Sequence, residues 1–249
     1  MSLDDMNKIN LLQSIINELN ENACKEKAQH HMQFFKTGSG EYGEGDKFIG
    51  VNVPCQRKIA KKYYKEINLN ELEKLLRNEI HEYRSTALFM LCYKFDKATE
   101  NEKNSIVDLY LDNLDFVNNW DLVDASSPTI LGGYLFDKNR SLLYDLANSD
   151  NLWKQRIAII STLYFIRRND FYDTLAISEL LLHHQHDLIH KAVGWMIREV
   201  GKRDKDLAIT FLLKYYTEMP RTMLRYAIEK FDENLRQHFL KKNKYILSQ

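Results

Sequence analysis

The chain has 249 residues, of which 44% are hydrophobic and 28% are charged, and its formal net charge is zero. This composition is that of an ordinary soluble globular protein, and only three prolines and nine glycines favour long helices over a turn-rich β-sandwich. No apolar run approaches the roughly 18 residues of a membrane span, and the polar N-terminus does not resemble a signal peptide. Cys24, Cys55 and Cys92 are scattered and suit free thiols in a reducing compartment. We therefore expect a cytoplasmic protein that does not bind a membrane.

Charge is distributed unevenly along the chain. Residues 125–249 hold 19 Lys and Arg against 14 Asp and Glu, whereas residues 1–124 hold 16 against 21. A polyanionic partner would therefore bind mainly to the C-terminal half.

The first predicted helices precede a glycine-containing loop. Apolar residues have helical spacing over 11–19 and 28–35, and a Gly-Ser-Gly stretch at 38–40 ends the second helix. The loop over 41–53 carries three glycines but lacks the Gly-Lys-Ser/Thr ending of a phosphate-binding loop, so we interpret it as a structured turn. Pro54 suits the first position of a helix that runs to about residue 66.

The remaining chain is repetitive. Five segments have the pattern of the second helix of a pair, and each carries an alanine at a corresponding position, at intervals of 38, 33, 34 and 35 residues. A period in the thirties with a small residue at one helical position is typical of stacked helix pairs. We predict an all-α fold, a superhelical α-solenoid whose second helices line the concave face, and a single domain over 1–249. The segments and alanines are His81–Phe95 with Ala87, Trp120–Phe136 with Ala125, Asn151–Arg167 with Ala158, Asp187–Lys202 with Ala192, and Arg221–Phe231 with Ala227.

Charged residues precede these alanines. Four segments carry a base there, namely Arg84, Arg156, Lys191 and Arg225, and the second segment carries Asp124 instead. A row of basic residues with a single acid is expected of a concave surface that binds phosphates and uses one carboxylate for catalysis. The alternative is a set of solvated helix faces with incidental ion pairs.

Asp124 also stands four residues after Trp120, which places both side chains on one face of a helix. An indole face and a carboxylate both attract cations, so the pair would make a site for a group that carries or develops positive charge. The alternative interpretation is a core tryptophan followed by an aspartate on the helix surface.

Several motifs occur in register over about residues 28–203. Upstream lie Gly40-Glu41-Tyr42-Gly43-Glu44-Gly45-Asp46 and Gly50-Val51-Asn52-Val53-Pro54; these are followed by Trp120-Asp121-Leu122-Val123-Asp124 with Pro128, by Asp150-Asn151-Leu152-Trp153-Lys154-Gln155-Arg156, and by Lys191-Ala192-Val193-Gly194-Trp195-Met196-Ile197-Arg198-Glu199. In this order and spacing they resemble the AlkD-like DNA alkylation-repair glycosylases.

This resemblance implies a right-handed superhelix of HEAT-like repeats that hydrolyses the N-glycosidic bond of N3- and N7-alkylated purines in double-stranded DNA. It also implies that Asp124 is the catalytic carboxylate, that Trp120 and Trp195 flank the deoxyribose of the lesion, and that Arg156 is a basic residue of the cleft. The family often has Tyr where this chain has Phe34, so a hydroxyl is missing there. The DNA-binding residues that we predict are Phe34, Arg84, Lys154, Arg156, Lys191 and Arg198.

The chemistry agrees with a single catalytic acid. A purine alkylated at N3 or N7 is already cationic and leaves as a neutral base, so one carboxylate that stabilises the oxocarbenium-like sugar can suffice. An open concave cleft suggests no deep pocket for an extruded base. A non-catalytic helical-repeat scaffold that binds nucleic acid or protein is the alternative function.

No cofactor or metal is predicted. The run His183-His184-Gln185-His186 lacks acidic or cysteine partners at ligand spacing. Family precedent and the lack of a heptad pattern lead us to expect a monomer in the bacterial cytoplasm or nucleoid.

Overall fold

The computed structural model describes residues 3–241, and the side chains of residues 11–241. Contacts divide the chain into two compact units, Met1–Ile130 and Leu131–Gln249, and each is described by itself. Helices account for nearly all regular structure in the described part, where the only bridge between extended segments pairs Lys47 with Ile80. The prediction of an all-α fold is confirmed, while the single domain stays a prediction. None of the described helices has the length and apolarity needed to cross a bilayer.

The first unit is built around one buried helix. Helix α5 packs against α3, α4 and α7, and nearly all of its side chains are buried. Because α5 is covered on every side, it has no separate solvent-facing polar stripe. Even its charged residues Glu82 and Arg84 are buried. The helices of this unit are α1 Leu3–Glu21, α2 Lys25–Phe34, α3 Val53–Tyr63, α4 Leu69–Leu76, α5 His81–Phe95, α6 Glu100–Asp112 and α7 Trp120–Ser127, with a 3₁₀ turn at Leu114–Phe116.

The second unit is built from stacked pairs. Helix α10 packs against α9 and α13, and α13 packs against α14 and α15. The contacts of α10 with α13 and of α13 with α15 join successive second helices, as the period predicts. The helices are α8 Gly133–Leu135, α9 Ser141–Ala147, α10 Leu152–Ser161, α11 Leu163–Ile166, α12 Tyr172–Leu180, α13 Asp187–Gly201, α14 Lys205–Tyr215, α15 Arg221–Ala227 and α16 Glu233–Leu240.

The five predicted second helices occur, with two of them interrupted and the last ending at Ala227 instead of Phe231. The segment after Trp120 is broken by a π-helical turn at Pro128–Gly132, because proline has no N–H to donate and its ring crowds the preceding turn. The segment after Asn151 is broken at Thr162, whose hydroxyl bonds the Ile159 carbonyl. Four of the aligned alanines are buried, and Ala125 is half-buried.

Close helix contact depends on glycine as well as alanine. A Cβ placed on Gly194 of α13 would lie 2.4 Å from the Met223 carbonyl oxygen and 2.6 Å from the Tyr226 Cβ of α15. Real Cβ atoms do not approach other atoms this closely, so Gly194 allows α15 to lie directly on α13.

Candidate active site

Trp120 and Asp124 line one cleft in the first unit, as their spacing predicts. The cleft has a volume of about 560 Å³, and we call it the α7 cleft because Trp120, Asp121, Asp124 and Ala125 of α7 form one wall. Helix α7 begins at Trp120, whose N–H donates to the Asn119 side chain at 2.9 Å. That the protein has no deep pocket for an extruded base stays a prediction.

Aromatic rings at the end of α2 pack against Trp120 in the α7 cleft. Phe35 stacks on Trp120 with ring centroids 5.4 Å apart, and Phe34 meets the same indole edge to face at 5.9 Å. Trp120 is half-buried, and the Phe34 side chain is 55% exposed. The indole is therefore anchored by packing and still lines the cleft, and its role in binding a cation stays a prediction.

Asp46, which comes from the loop over 41–53, ties this wall to the core of the unit. The buried carboxylate accepts hydrogen bonds from Arg84 Nη2 at 2.6 Å, His81 Nδ1 at 3.1 Å and Asn119 Nδ2 at 3.1 Å. Burial raises the pKa of Asp46, but His81 and Arg84 outweigh it and the pKa lies below its ordinary value. The loop is a structured turn, as predicted, and it fixes the residue that caps α7.

His81 lies between two carboxylates. Its Nδ1 faces Asp46, and its Nε2 lies 2.8 Å from Asp121 Oδ2. Burial lowers the pKa of His81, but Asp121 and Asp46 outweigh burial and raise the pKa to about 9. Both ring nitrogens therefore donate near neutral pH, and the imidazolium stacks on Phe48 at 4.5 Å and lies tilted against Phe35 at 5.1 Å.

Glycines let the loop close on its neighbours. A Cβ on Gly43 would lie 2.3 Å from the Phe35 carbonyl oxygen, and one on Gly50, which has a φ of +82°, would lie 2.1 Å from the Cys24 carbonyl oxygen. The buried Glu82 carboxylate accepts hydrogen bonds from the N–H groups of Ile49 and Gly50 at 3.1 and 2.8 Å. The loop therefore cannot shift without breaking buried hydrogen bonds.

Sequence reasoning missed Asp46, His81 and Asp121. Asp121 stands inside the recognised motif, and a carboxylate one turn from Asp124 was a usable signal. No sequence signal linked Asp46 to His81, since they are 35 residues apart and only the fold brings them together.

Arg84 and Arg156 occupy positions that fit a structural role better than contact with a phosphate. Arg84 is 4% exposed and pairs with Asp46. Arg156 is also 4% exposed, and its Nη1 donates to the Leu188 carbonyl oxygen at 2.5 Å. We correct the prediction accordingly and retain neither residue in the proposed DNA surface.

The other predicted residues belong to the second unit. Trp195 is half-buried on α13, and its Nε1 donates to Glu199 at 3.1 Å. On the same helix Lys191 pairs with Asp187 at 2.7 Å, and Arg198 pairs with Glu229. Lys154 is half-buried on α10. Their contact with DNA stays a prediction, as does the pairing of Trp195 with Trp120.

The histidine run acts in chain packing. His184 Nε2 lies 2.8 Å from Gln155 Oε1, and the His186 side chain accepts from the Leu188 N–H at the start of α13. Within the described residues, no group of three His, Cys, Asp or Glu side chains is arranged to hold a metal ion.

The α7 cleft is suited to a cationic ligand. It combines exposed aromatic surface with the Asp124 carboxylate, and both features attract positive charge, whereas the neighbouring Asp121 carboxylate is already paired with His81. The sequence model of the DNA alkylation repair enzymes matches residues 15–231. The chain belongs to this family. Membership indicates an enzyme of DNA alkylation repair that acts on DNA.

Several solved structures share the fold. A predicted DNA alkylation repair enzyme from Enterococcus faecalis superposes with a TM-score of 0.66 at 15% identity, covering 85% of this chain and 98% of its own. AlkD2 from Streptococcus mutans gives 0.52 at 15% identity over 84% and 99% of the two chains. The smu.31 protein of Streptococcus mutans UA159 gives 0.50 at 15% identity over 95% and 99%. Comparison with curated proteins found no match.

Proposed function

We propose that this enzyme is a DNA glycosylase that releases cationic N3- and N7-alkylated purines from double-stranded DNA, and that it acts as a monomer. The observation that carries the proposal is that Asp124 and Trp120 line one cleft. Family membership makes alkylated DNA the substrate class to consider first.

The proposed reaction needs no acid. The C1′–N bond breaks with its electron pair passing to the base, which becomes neutral because it began as a cation. The sugar gains the positive charge, and the Asp124 carboxylate stabilises it. Water then bonds to C1′ and loses a proton to Asp124 or to solvent, which leaves an abasic site and a free base.

Aromatic rings complete the proposed site. Trp120 offers an indole that Phe35 holds in place at 5.4 Å, and an indole face adds about 0.5–2 kcal/mol of attraction for a cation. Phe34 is exposed beside it and can stack on an unpaired base or sugar. Trp195 stays the proposed second aromatic contact.

The proposed DNA surface also includes basic residues of the second unit. They are Lys154, Lys191 and Arg198, on α10 and α13. Such contacts bind phosphates without reading sequence, so affinity should fall steeply with salt.

The test is release of methylated purine from DNA treated with a methylating agent. We expect Asp124→Asn to lower the single-turnover rate by about 10²–10³-fold, as for loss of other preorganised electrostatic groups. Asp112→Asn, a change of an exposed aspartate at the end of α6, is the matched control and should keep the full rate. Equal release by Asp124→Asn, or no release by the natural protein, would overturn the proposal and favour a binding scaffold.

A further inference from the structure

The first unit has a second cavity that the proposed reaction does not use. We call it the lysine pocket, and it has a volume of about 460 Å³ between the C-terminal ends of α3 and α5 and the first turns of α4 and α6. Lys65, Lys94 and Lys97 line it together with Tyr64, Glu102 and Ser105. Its size falls within the range of small-molecule sites.

The lysine pocket is positive. No ion pair joins any of its three lysines to a carboxylate among the described residues. Its one acid, Glu102, is bound to the start of α6, where its carboxylate accepts from the Thr99 N–H and the Thr99 hydroxyl, both at 2.8 Å. The cavity therefore offers three ammonium groups against one carboxylate that is already hydrogen-bonded, although residues 1–124 as a whole are acidic.

Lys94 is the informative member of the set. Its side chain is half-buried, whereas Lys65 and Lys97 are exposed. Burial lowers the pKa of Lys94, and Glu102 only partly opposes this. A partly desolvated ammonium is stabilised by an anion that enters the same cavity.

The shape of the pocket argues for a small ligand. Phosphates of a duplex lie on a convex ridge and are met by exposed side chains, whereas Lys94 lies inside a cavity. Lysine ammonium groups suit phosphate oxygens as point charges. Tyr64 adds a half-buried aromatic wall and packs against Tyr93 at 5.6 Å, and Ser105 adds a hydroxyl.

We propose that the lysine pocket binds a phosphate monoester that carries a planar ring, that is, a nucleoside monophosphate. The phosphate would lie among Lys65, Lys94 and Lys97, and the base would lie against Tyr64. This site is distinct from the α7 cleft. The two cavities share no lining residue, and on α5 the nearest lining residues are Phe89 of the cleft and Lys94 of the pocket, five residues or a rise of about 7.5 Å apart.

The test is calorimetric titration of the full-length protein with deoxyadenosine 5′-monophosphate. We expect Lys94→Gln to weaken binding by about tenfold or more, since a hydrogen bond to a charged group contributes about 1.5–3 kcal/mol. Lys97→Gln, at an exposed position, should weaken it less. Lys61→Gln on α3, an exposed lysine outside the pocket, is the matched control and should leave binding unchanged.

Further titrations identify the source of the phosphate. Weaker binding of deoxyadenosine and of inorganic phosphate than of the nucleotide supports the proposal. It is overturned if the nucleotide does not bind, if Lys94→Gln binds it as well as the natural protein, if inorganic phosphate binds equally well, or if the lysine changes weaken only duplex binding. Asp124→Asn should bind the nucleotide normally, so failure of this site and failure of the glycosylase proposal are separable.

Discussion

His81 donates a hydrogen bond from Nε2 to the Asp121 carboxylate at 2.8 Å, while its other nitrogen faces Asp46 at 3.1 Å. A buried cation therefore joins the loop over 41–53 to the helix that carries Asp124. This bridge makes the geometry of the α7 cleft depend on the protonation of one imidazole.

The first prediction concerns stability at high pH. The pKa of His81 is raised from 6.5 to about 9, so its stabilisation is complete below pH 6.5 and is lost as the pH rises through about 9. By linkage, the shift in the pKa of His81 contributes about 3 kcal/mol to the free energy of unfolding. The charged groups that face the ring are Asp46, Asp121 and Arg84. We expect the free energy of unfolding in urea to fall between pH 6.5 and 9.5, and His81→Gln to lose most of this dependence. Parallel curves for both proteins would contradict the prediction.

The second prediction separates structural from DNA-binding arginine. Arg84→Met leaves the buried Asp46 without its closest cation, and we expect about 3–5 kcal/mol of destabilisation. In this variant the slope of log affinity for duplex DNA against log salt concentration should stay unchanged. Lys191→Met, at a half-buried position on α13, should instead lower that slope by about one with little loss of stability. A reduced salt slope for Arg84→Met would restore its DNA-binding role.

The third prediction concerns Phe34. Because its ring is 55% exposed, Phe34→Ala should cost less than about 1 kcal/mol of unfolding free energy. Loss of a stacking ring should weaken binding of abasic or alkylated duplex by about tenfold. Tyr172→Ala removes a ring that is 76% exposed in the second unit and should leave affinity unchanged. Phe34→Tyr should keep the natural affinity, and equal loss in both alanine variants would remove Phe34 from the site.

The fourth prediction concerns helix packing. Gly194→Ala would bring a methyl group within 2.4 Å of the Met223 carbonyl oxygen, and we expect a loss of about 1–3 kcal/mol in thermal or urea unfolding. Gly201→Ala in the same helix meets only the Ala208 Cβ at 3.3 Å and the Phe231 ring at 3.4 Å. It should be nearly neutral because alanine favours the helix. Similar losses in both variants would contradict the prediction, because the short approach to the Met223 carbonyl oxygen would then not decide the outcome.

Local features were predictable from the sequence, and long-range partners were not. The spacing of Trp120 and Asp124 placed both on one wall because four residues make about one helical turn. The buried state of Arg84 was not predictable, since a base before an alanine has the same pattern whether it meets a phosphate or a carboxylate. Its partner Asp46 is 38 residues away. The charge of His81 likewise depends on two acids that only tertiary structure brings together.

The contact between Asp46 and Asn119 has a consequence for how relatives of this protein are compared. The Asn119 side chain bonds both the loop and the first N–H of α7, so the length of that loop and the direction of α7 are coupled. A relative in which the loop is shortened must support the helix start by other groups. Transplanting the α7 motif alone into such a scaffold would transfer the side chains without their orientation, and the loop with its aspartate has to be transferred as well.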